Sequence, residues 1–309
     1  MNKESFKTFA ILTKRNIKMF FKDKGMFFTS LITPMILLVL YVTFLGNVYE
    51  ESFSGNIAEG FTVSSDLIKG TVSGELISSL LAVSCVTVAF CSNLLMVNDK
   101  VNHVNIDFMV TPIKKSVLAL SYFVATLLTT LIISYSALAL SLGYIAITKW
   151  YLSFGDVMLI ILDVFLLTAF GTALSSVVNV FLKTSGQASA VGTIVSAGYG
   201  FLCGAYMPIS SFSDGLQKAM MFLPGTYGTS LIRNHCLAGV YRQMENDGFP
   251  AEVIEKIKDS IDCNIYFFGE KVEIGSMYLV MIIVIILLVF AYVLINILKK
   301  KGKSDRWKK

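Results

Sequence analysis

Residues 275–298 read GSMYLVMIIVIILLVFAYVLINIL, twenty-four positions without a charged side chain. A helix needs about 20 mostly apolar residues to cross a hydrocarbon core of about 30 Å, because no backbone amide can be left unpaired there. The run has that length and almost no polar face with which to meet water, so it reads as a membrane span. Five more stretches qualify: 26–48, 76–97, 117–147, 157–182 and 187–209. Asp163 is the only charged residue inside any of the six. The whole chain agrees, with 309 residues, 55% hydrophobic and 15% charged, where a soluble globule carries about 25% charge. A mean hydropathy of +0.69 says the same. With so little polar surface, lipid must be the solvent for much of the molecule. Modest Gly, Pro and Cys contents exclude collagen-like, disordered and disulfide-scaffold classes.

Charge outside the spans sets the orientation. Seven Lys/Arg precede the first span (Lys3, Lys7, Lys14, Arg15, Lys18, Lys22, Lys24), and seven more follow the last from Lys299 onward. By the positive-inside rule both termini are cytoplasmic, which requires an even number of crossings. A seventh apolar stretch, 219–232, is too short, contains Pro224, Gly225 and Gly228, and reads as re-entrant or interfacial. The loop 49–75 holds one Lys against five acids and reads as external; 98–116, with Lys100, Lys114 and Lys115, reads as cytoplasmic. The 23-residue apolar run of the first span, with no small-residue cleavage site after it, is expected to stay as an anchor.

The expected fold is therefore an all-α membrane protein with six transmembrane helices, an N-terminal interfacial amphipathic helix, and a re-entrant, amphipathic helical external loop between spans 5 and 6. Residues 1–25 form the cytoplasmic helix, 26–209 spans 1–5 with the cytoplasmic loop 98–116, 210–274 the external loop, 275–298 span 6, and 299–309 a basic cytoplasmic tail. In the first segment Phe6, Phe9, Ala10, Thr13, Ile17, Phe20 and Phe21 recur at helical spacing beside a sector of cations. Such a helix suits the membrane interface, either as a topology anchor or as a lever for a cytoplasmic partner. In the external loop, Val253, Ile254, Ile257 and Ile261 share one face of a helix expected over 251–261, a cap over the spans. Cys236 and Cys263 fall in the same loop, an oxidising location, and are either two thiols or a disulfide worth about 3 kcal/mol.

Chemical motifs are sparse. Gly302-Lys303-Ser304 ends like a nucleotide-binding loop, but Ile297 stands where its first glycine should be. The two histidines, His103 and His235, fall on opposite sides of the membrane by this topology, so His-based metal sites are not expected. The tail 299–309 follows a span directly and reads as a headgroup-binding stop signal rather than a nucleic-acid patch. Asp163 is a substrate-path candidate, because an ionised carboxylate in hydrocarbon costs roughly 2.5–3.5 kcal/mol. Its expected partner is a hydroxyl, a backbone group, water or a cation, since no Lys or Arg lies in a span. Span 5 carries small residues at every fourth position, Ala188, Gly192, Ser196, Gly200 and Gly204. That ladder suits close helix packing, within the chain or with a second copy, or alternatively a glycine hinge.

Together these features resemble the permease subunit of type-2 ATP-binding-cassette exporters. Three segments carry the likeness. The run from Phe6-Lys7-Thr8-Phe9 to Phe21-Lys22-Asp23-Lys24 is similar to that family's connecting helix. VNDKVNHVNIDFMVTPIKKSVLALSY, 97–122, looks like its coupling loop, with Thr111-Pro112 in place and 98–107 where relatives carry an acidic Gly-Thr stretch. YMPISSFSDGLQKAMMFLPGTYGTSLIR, 206–233, resembles its signature after span 5, with Pro208, Phe222, Pro224, Tyr227 and Arg233 in the matching places. The resemblance implies a bacterial cell-membrane permease, homodimeric or paired with a homologue, that binds no cofactor and is no enzyme by itself. ATP and Mg would sit on two separate ATPase subunits docked near Phe9, Arg15, Phe20, Thr111, Pro112, Lys114 and Lys115. The implied activity is export, by alternating access, of a small amphipathic molecule, drug, peptide or lipid. An ion-coupled secondary transporter using Asp163 and a non-transport membrane scaffold or sensor are the other readings. The Lys-, Ile-, Phe- and Asn-rich usage points to a bacterium with AT-rich coding.

Overall fold

A computed structural model of the chain describes residues 3–40, 43 and 64–298. The outer end of the 26–48 span, most of the acidic loop 49–75 and the basic tail 299–309 lie outside those residues. Within them the chain is helical almost throughout. An amphipathic α1 (Lys3–Lys22) is followed by α2 (Lys24–Leu40), and the two meet at 74°. Asp23 makes that corner: its carboxylate and carbonyl cap the free amides of Met26 and Phe27 at 3.0 Å each. Next come α3 (Ser65–Ser92), α4 (Leu94–Val101), α5 (Val104–Val110) and α6 (Lys115–Thr148). Then follow α7 (Phe154–Phe181), α8 (Ser185–Leu202), a 3-10 turn (Ile209–Ser211), α9 (Asp214–Met220), α10 (Pro224–Asn246) and α11 (Ala251–Ser260). A hairpin of β1 (Tyr266–Phe267) and β2 (Glu270–Lys271), not expected from the sequence, leads into α12 (Ile274–Leu298).

Length and composition qualify four of these as membrane-crossing: α3 continued through α4 (Ser65–Val101), α6, α7 and α12, with the bent α1–α2 pair a fifth if it counts as one span. The expected span 187–209 is shorter than anticipated. Its helix α8 stops at Leu202, where the Ala205 and Tyr206 amides both turn back onto the Gly200 carbonyl at 2.8 and 3.0 Å. Ser, Gly and Ala make much of α8, which lowers its apolarity below that of the other spans.

α3 is the central post. Its most apolar stretch is 89% buried, while that of α12 is 11% buried, although α12 is the more hydrophobic. Lipid tails are as apolar as leucine, so hydrophobicity does not decide which helix goes inside; close packing and polar satisfaction do. α3 supplies both, with small residues along its length and Thr71, Ser73, Ser78 and Thr87 donating to carbonyls of their own helix at 2.7–2.9 Å. Around it pack α2, α6, α7, α8 and α10, and α12 covers α7 from the lipid side.

The 219–232 stretch starts in the last residues of α9 and, from Pro224, begins a 23-residue helix. Pro224 starts α10 at a position where its missing N–H costs nothing, and the following glycines permit contact. At Gly239 the backbone passes so close that an added Cβ would sit 2.1 Å from the Tyr151 carbonyl oxygen. Most of α10 is buried against α3, α7 and α12. The cap helix α11 forms as expected, Ile254 buried and Val253, Ile257 and Ile261 half-buried, and it packs against α10.

Candidate functional site: polar ties at the two ends of the bundle

At the end of the bundle where α3 and α7 finish, α1 lies against α6 and α4. Its inner face is Leu12, Thr13, Asn16 and Phe20, with Phe9 and Ile17 half-buried and Phe6 and Phe21 exposed. The stripe is rotated from the expected one because α1 packs on α6 and α4 of its own chain. Phe20 is 1% exposed in a cluster with Met96, Tyr122 and Tyr292, so it fixes α1 against the bundle.

Arg15 is the joint. It ion-pairs with Asp99 of α4, through Nη1 and, at 3.1 Å, through Nη2, and its guanidinium lies 5.7 Å from the Phe108 ring of α5. Asp99, almost wholly buried, also accepts from Tyr122 Oη of α6 at 2.5 Å. Lys100 donates to the Asn179 and Val180 carbonyls at 2.7 and 3.1 Å, where α7 ends and leaves carbonyls unpaired. Two adjacent residues of α4 thus gather α1, α6 and α7, and Arg15 adds the contact to α5. Sequence reading passed over Asp99, since an acid in a polar loop gives no local signal that a cation 84 positions away will find it.

α5 stands proud of this joint, turned at His103 (φ +60°), with Ile106 and Val110 51% and 81% exposed. Thr111, Pro112 and Lys114 are exposed beyond it, and Lys115 is half-buried at the start of α6. Thr111 Oγ1 donates to the Phe108 carbonyl at 2.7 Å and closes α5.

At the opposite end, Arg233 of α10 is buried and donates to the Ile261 carbonyl at 2.8 Å, the Gly204 carbonyl at 2.9 Å and Ser79 Oγ of α3 at 3.1 Å. Asp262 lies 3.5 Å from it and accepts from the Ile209 amide at 2.8 Å. Burial pushes the Asp262 carboxyl up to about 6, against the pull of Arg233. One side chain thus ties the chain after span 5, the central post and the long loop together. Tyr227 is buried, with its hydroxyl on the Met221 carbonyl at 2.7 Å; Pro208 and Pro224 are half-buried at the starts of their turn and helix; Phe222 is exposed. Beside this hub opens a cavity of about 500 Å³ lined among others by Asp214, Lys218, Asp259, Asp262, Tyr266 and Phe268.

Asp163 of α7 is enclosed. Its Oδ1 accepts from Tyr278 Oη of α12 and its Oδ2 meets His235 Nδ1 of α10, both at 2.6 Å. A hydroxyl partner was expected, whereas an imidazole was not, because His235 was read as lying in a loop. The placement is a packed one, and Asp163 is not among the residues lining the cavity just described.

The small-residue ladder of span 5 divides. Gly200 admits the Tyr206 ring, which a Cβ would meet at 2.3 Å, and Gly204 takes φ +70° with Ile209 and Asp262 against it, so both serve the chain's own fold-back. Gly192 faces open space, and Ser196 is half-buried, its carbonyl 3.5 Å from Tyr206 Oη. Cys236 and Cys263 are separate buried thiols in different packing clusters, Cys263 3.1 Å from Tyr241 Oη, which is the first of the two alternatives the sequence left open. Among the described residues no three His, Cys, Asp or Glu side chains gather as a metal site.

The family model of the ABC-2 type transporter matches residues 7–236, which takes in both polar ties but for Ile261 and Asp262. No curated protein matches the chain.

Proposed function

The chain belongs to the ABC-2 type transporter family, as a permease subunit, and from that premise we propose that it carries substrate outward, driven by ATP hydrolysed on two separate subunits. The α1–α4–α5 end then faces the cytoplasm, the α10–α11 end faces outward, and α2 and α8 complete six crossings. Two copies, or this chain and a homologue, pair across the membrane. The observation that carries the reading is the joint at Arg15 and Asp99: the interfacial helix α1 is tied by charge-assisted bonds through α4 to α6 and α7, and the exposed short helix α5 meets that joint where Arg15 lies over the Phe108 ring. A push on α5 or α1 cannot stay local, because buried charge-assisted bonds move as a unit or break at a large cost.

The substrate is a small amphipathic molecule, drug, peptide or lipid. Supporting this, the uncovered surface of α8 mixes Ser189, Thr193 and Ser196 with Ile194 and Phe201, a face suited to a partner or a substrate path better than to lipid alone. The localisation proposed is the bacterial cell membrane, with both termini cytoplasmic. Affinity purification in mild detergent tests the core of this. Recovery of a stoichiometric nucleotide-binding ATPase supports it, and a clean preparation without one, repeated under crosslinking, overturns it.

A further inference from the structure

Asp163, His235 and Tyr278 come from three different helices, α7, α10 and α12, and meet in the interior. The Asp163 and His235 side chains are 1% and 9% exposed. With Oδ1 accepting from Tyr278, Oδ2 is left to accept from His235, which places a proton on Nδ1. The Tyr278 ring also stacks on the imidazole, centroids 6.4 Å apart and 27° between planes. A carboxylate inside a bundle could have been held by any hydroxyl at less cost. Here it is held by the one side chain whose charge ordinarily changes between pH 5 and 8, on the helix that enters from the loop rather than crossing.

We propose that Asp163, His235 and Tyr278 form a releasable latch holding α10 against α7 and α12, with Asp163 and Tyr278 as positioning residues and the charge of the His235 imidazole setting its strength. The latch matters to the permease cycle proposed above, on which that use of it rests, but it is testable without transport. Protonated His235 and ionised Asp163 make an ion pair that grips α10, whereas neutral His235 leaves a weaker N–H donor on the same oxygen. Asp163 acts electrostatically on Cys236 and Tyr278. From α6 and α3 the ionisable groups bonded along this part of α7 are Tyr135, on the Ile161 carbonyl, and Cys85, on the Val164 carbonyl. The neighbouring charges Glu75, Arg233 and Asp262 act on one another. Of the groups bonded to Asp163, the imidazole is the one whose kind ordinarily changes charge between pH 5 and 8.

The experiment is hydrogen exchange of the full chain in lipid nanodiscs at pH 5.5 and 8.0, with labelling times scaled for the intrinsic rate. The expected result is exchange in α10 about tenfold slower at the acidic pH, the step when a donor to a carboxylate gains a full charge. Made in an Asp262→Asn background, which removes the titration of the neighbouring Arg233 tie, His235→Asn, whose amide nitrogen replaces Nδ1 without a charge, keeps α10 protected and loses the pH dependence. Tyr278→Phe lowers protection at both pH values but keeps the dependence, and serves if His235→Asn does not assemble. A wild-type α10 indifferent to pH, a dependence that persists in His235→Asn, or a flat profile in Tyr278→Phe overturns the latch. Failure of the permease reading shows differently, as a missing ATPase partner with the exchange pattern intact.

Discussion

A guanidinium and a carboxylate 84 residues apart carry the joint between α1 and α4, and their removal is not symmetric. Arg15→Ala leaves Asp99 buried with Tyr122 alone; this costs about 2 kcal/mol, below the 3–5 of a fully buried pair because Arg15 is partly exposed. Arg15→Lys recovers less than half, since an ammonium cannot bond both oxygens in one plane. Thermal unfolding in detergent reads the first effect, and ATPase stimulation reads whether coupling follows. Gly204→Ala pays roughly 1–2 kcal/mol for a left-handed backbone with a side chain and then meets Ile209 and Asp262, while Gly192→Ala, with open space, is neutral. Equal melting temperatures for the two would refute the division of the ladder. For Asp262 the folded value, about 6, lies above the ordinary 3.8. Its contribution is thus fully present below about pH 4 and lost as pH rises through 6, by at most about 3 kcal/mol. Glu255 runs the other way: bonds from Lys271 and Lys258 hold it down to about 2, so its contribution is lost as pH falls from 4.5 toward 2. Melting at pH 5 and 8 should differ less in Asp262→Asn than in the wild type.

Elements differ in what they present. α5 is seven residues long and has no stability of its own, so its shape comes from Arg15 over Phe108 and the Thr111 hydroxyl at its end. Replacing Ile106 and Val110 by Ser changes exposed side chains and should leave insertion and melting unchanged within about 0.5 kcal/mol. ATPase recovery on purification should fall at least tenfold; unchanged recovery would take α5 out of the docking surface. Charge reversal at Lys114 and Lys115 should lower stimulation in the same preparation. α10 is the opposite case, a helix with weak amphipathic pattern that is buried nearly all round. Gly239→Val drives a branched side chain into the Tyr151 backbone and should prevent α10 from seating, read as early proteolysis of 224–246.

For the molecule as a whole, the sidedness is testable with single cysteines, because four of the five native thiols are buried. A maleimide that cannot cross membranes should label Lys256→Cys on α11 in intact cells and Lys7→Cys on α1 only after permeabilisation. Labelling of both in intact cells would break the six-crossing arrangement. The sequence by itself determined the solvent of this protein and the extent of its long helices: 275–298 could only be a span, and so could 117–147 and, but for Asp163, 157–182, because a long apolar run has one way to satisfy its backbone in lipid. It also determined the N-terminal amphipathic helix and the α11 cap, whose apolar residues repeat at helical spacing. Tertiary structure alone decided the rest. Pro224, Gly225 and Gly228 looked like breaks in a short segment, yet they begin a long buried helix, because the spaces the two glycines leave are filled by Tyr199 of α8, Cys203 just past its end and Leu167 of α7. Asp99, Asp262 and His235 gave no signal, since each gains its role from a partner 29 to 84 residues away. Periodicity records which face of a helix is apolar; it holds no record of which distant charge will be brought to meet a buried one, and that meeting depends on how the helices pack.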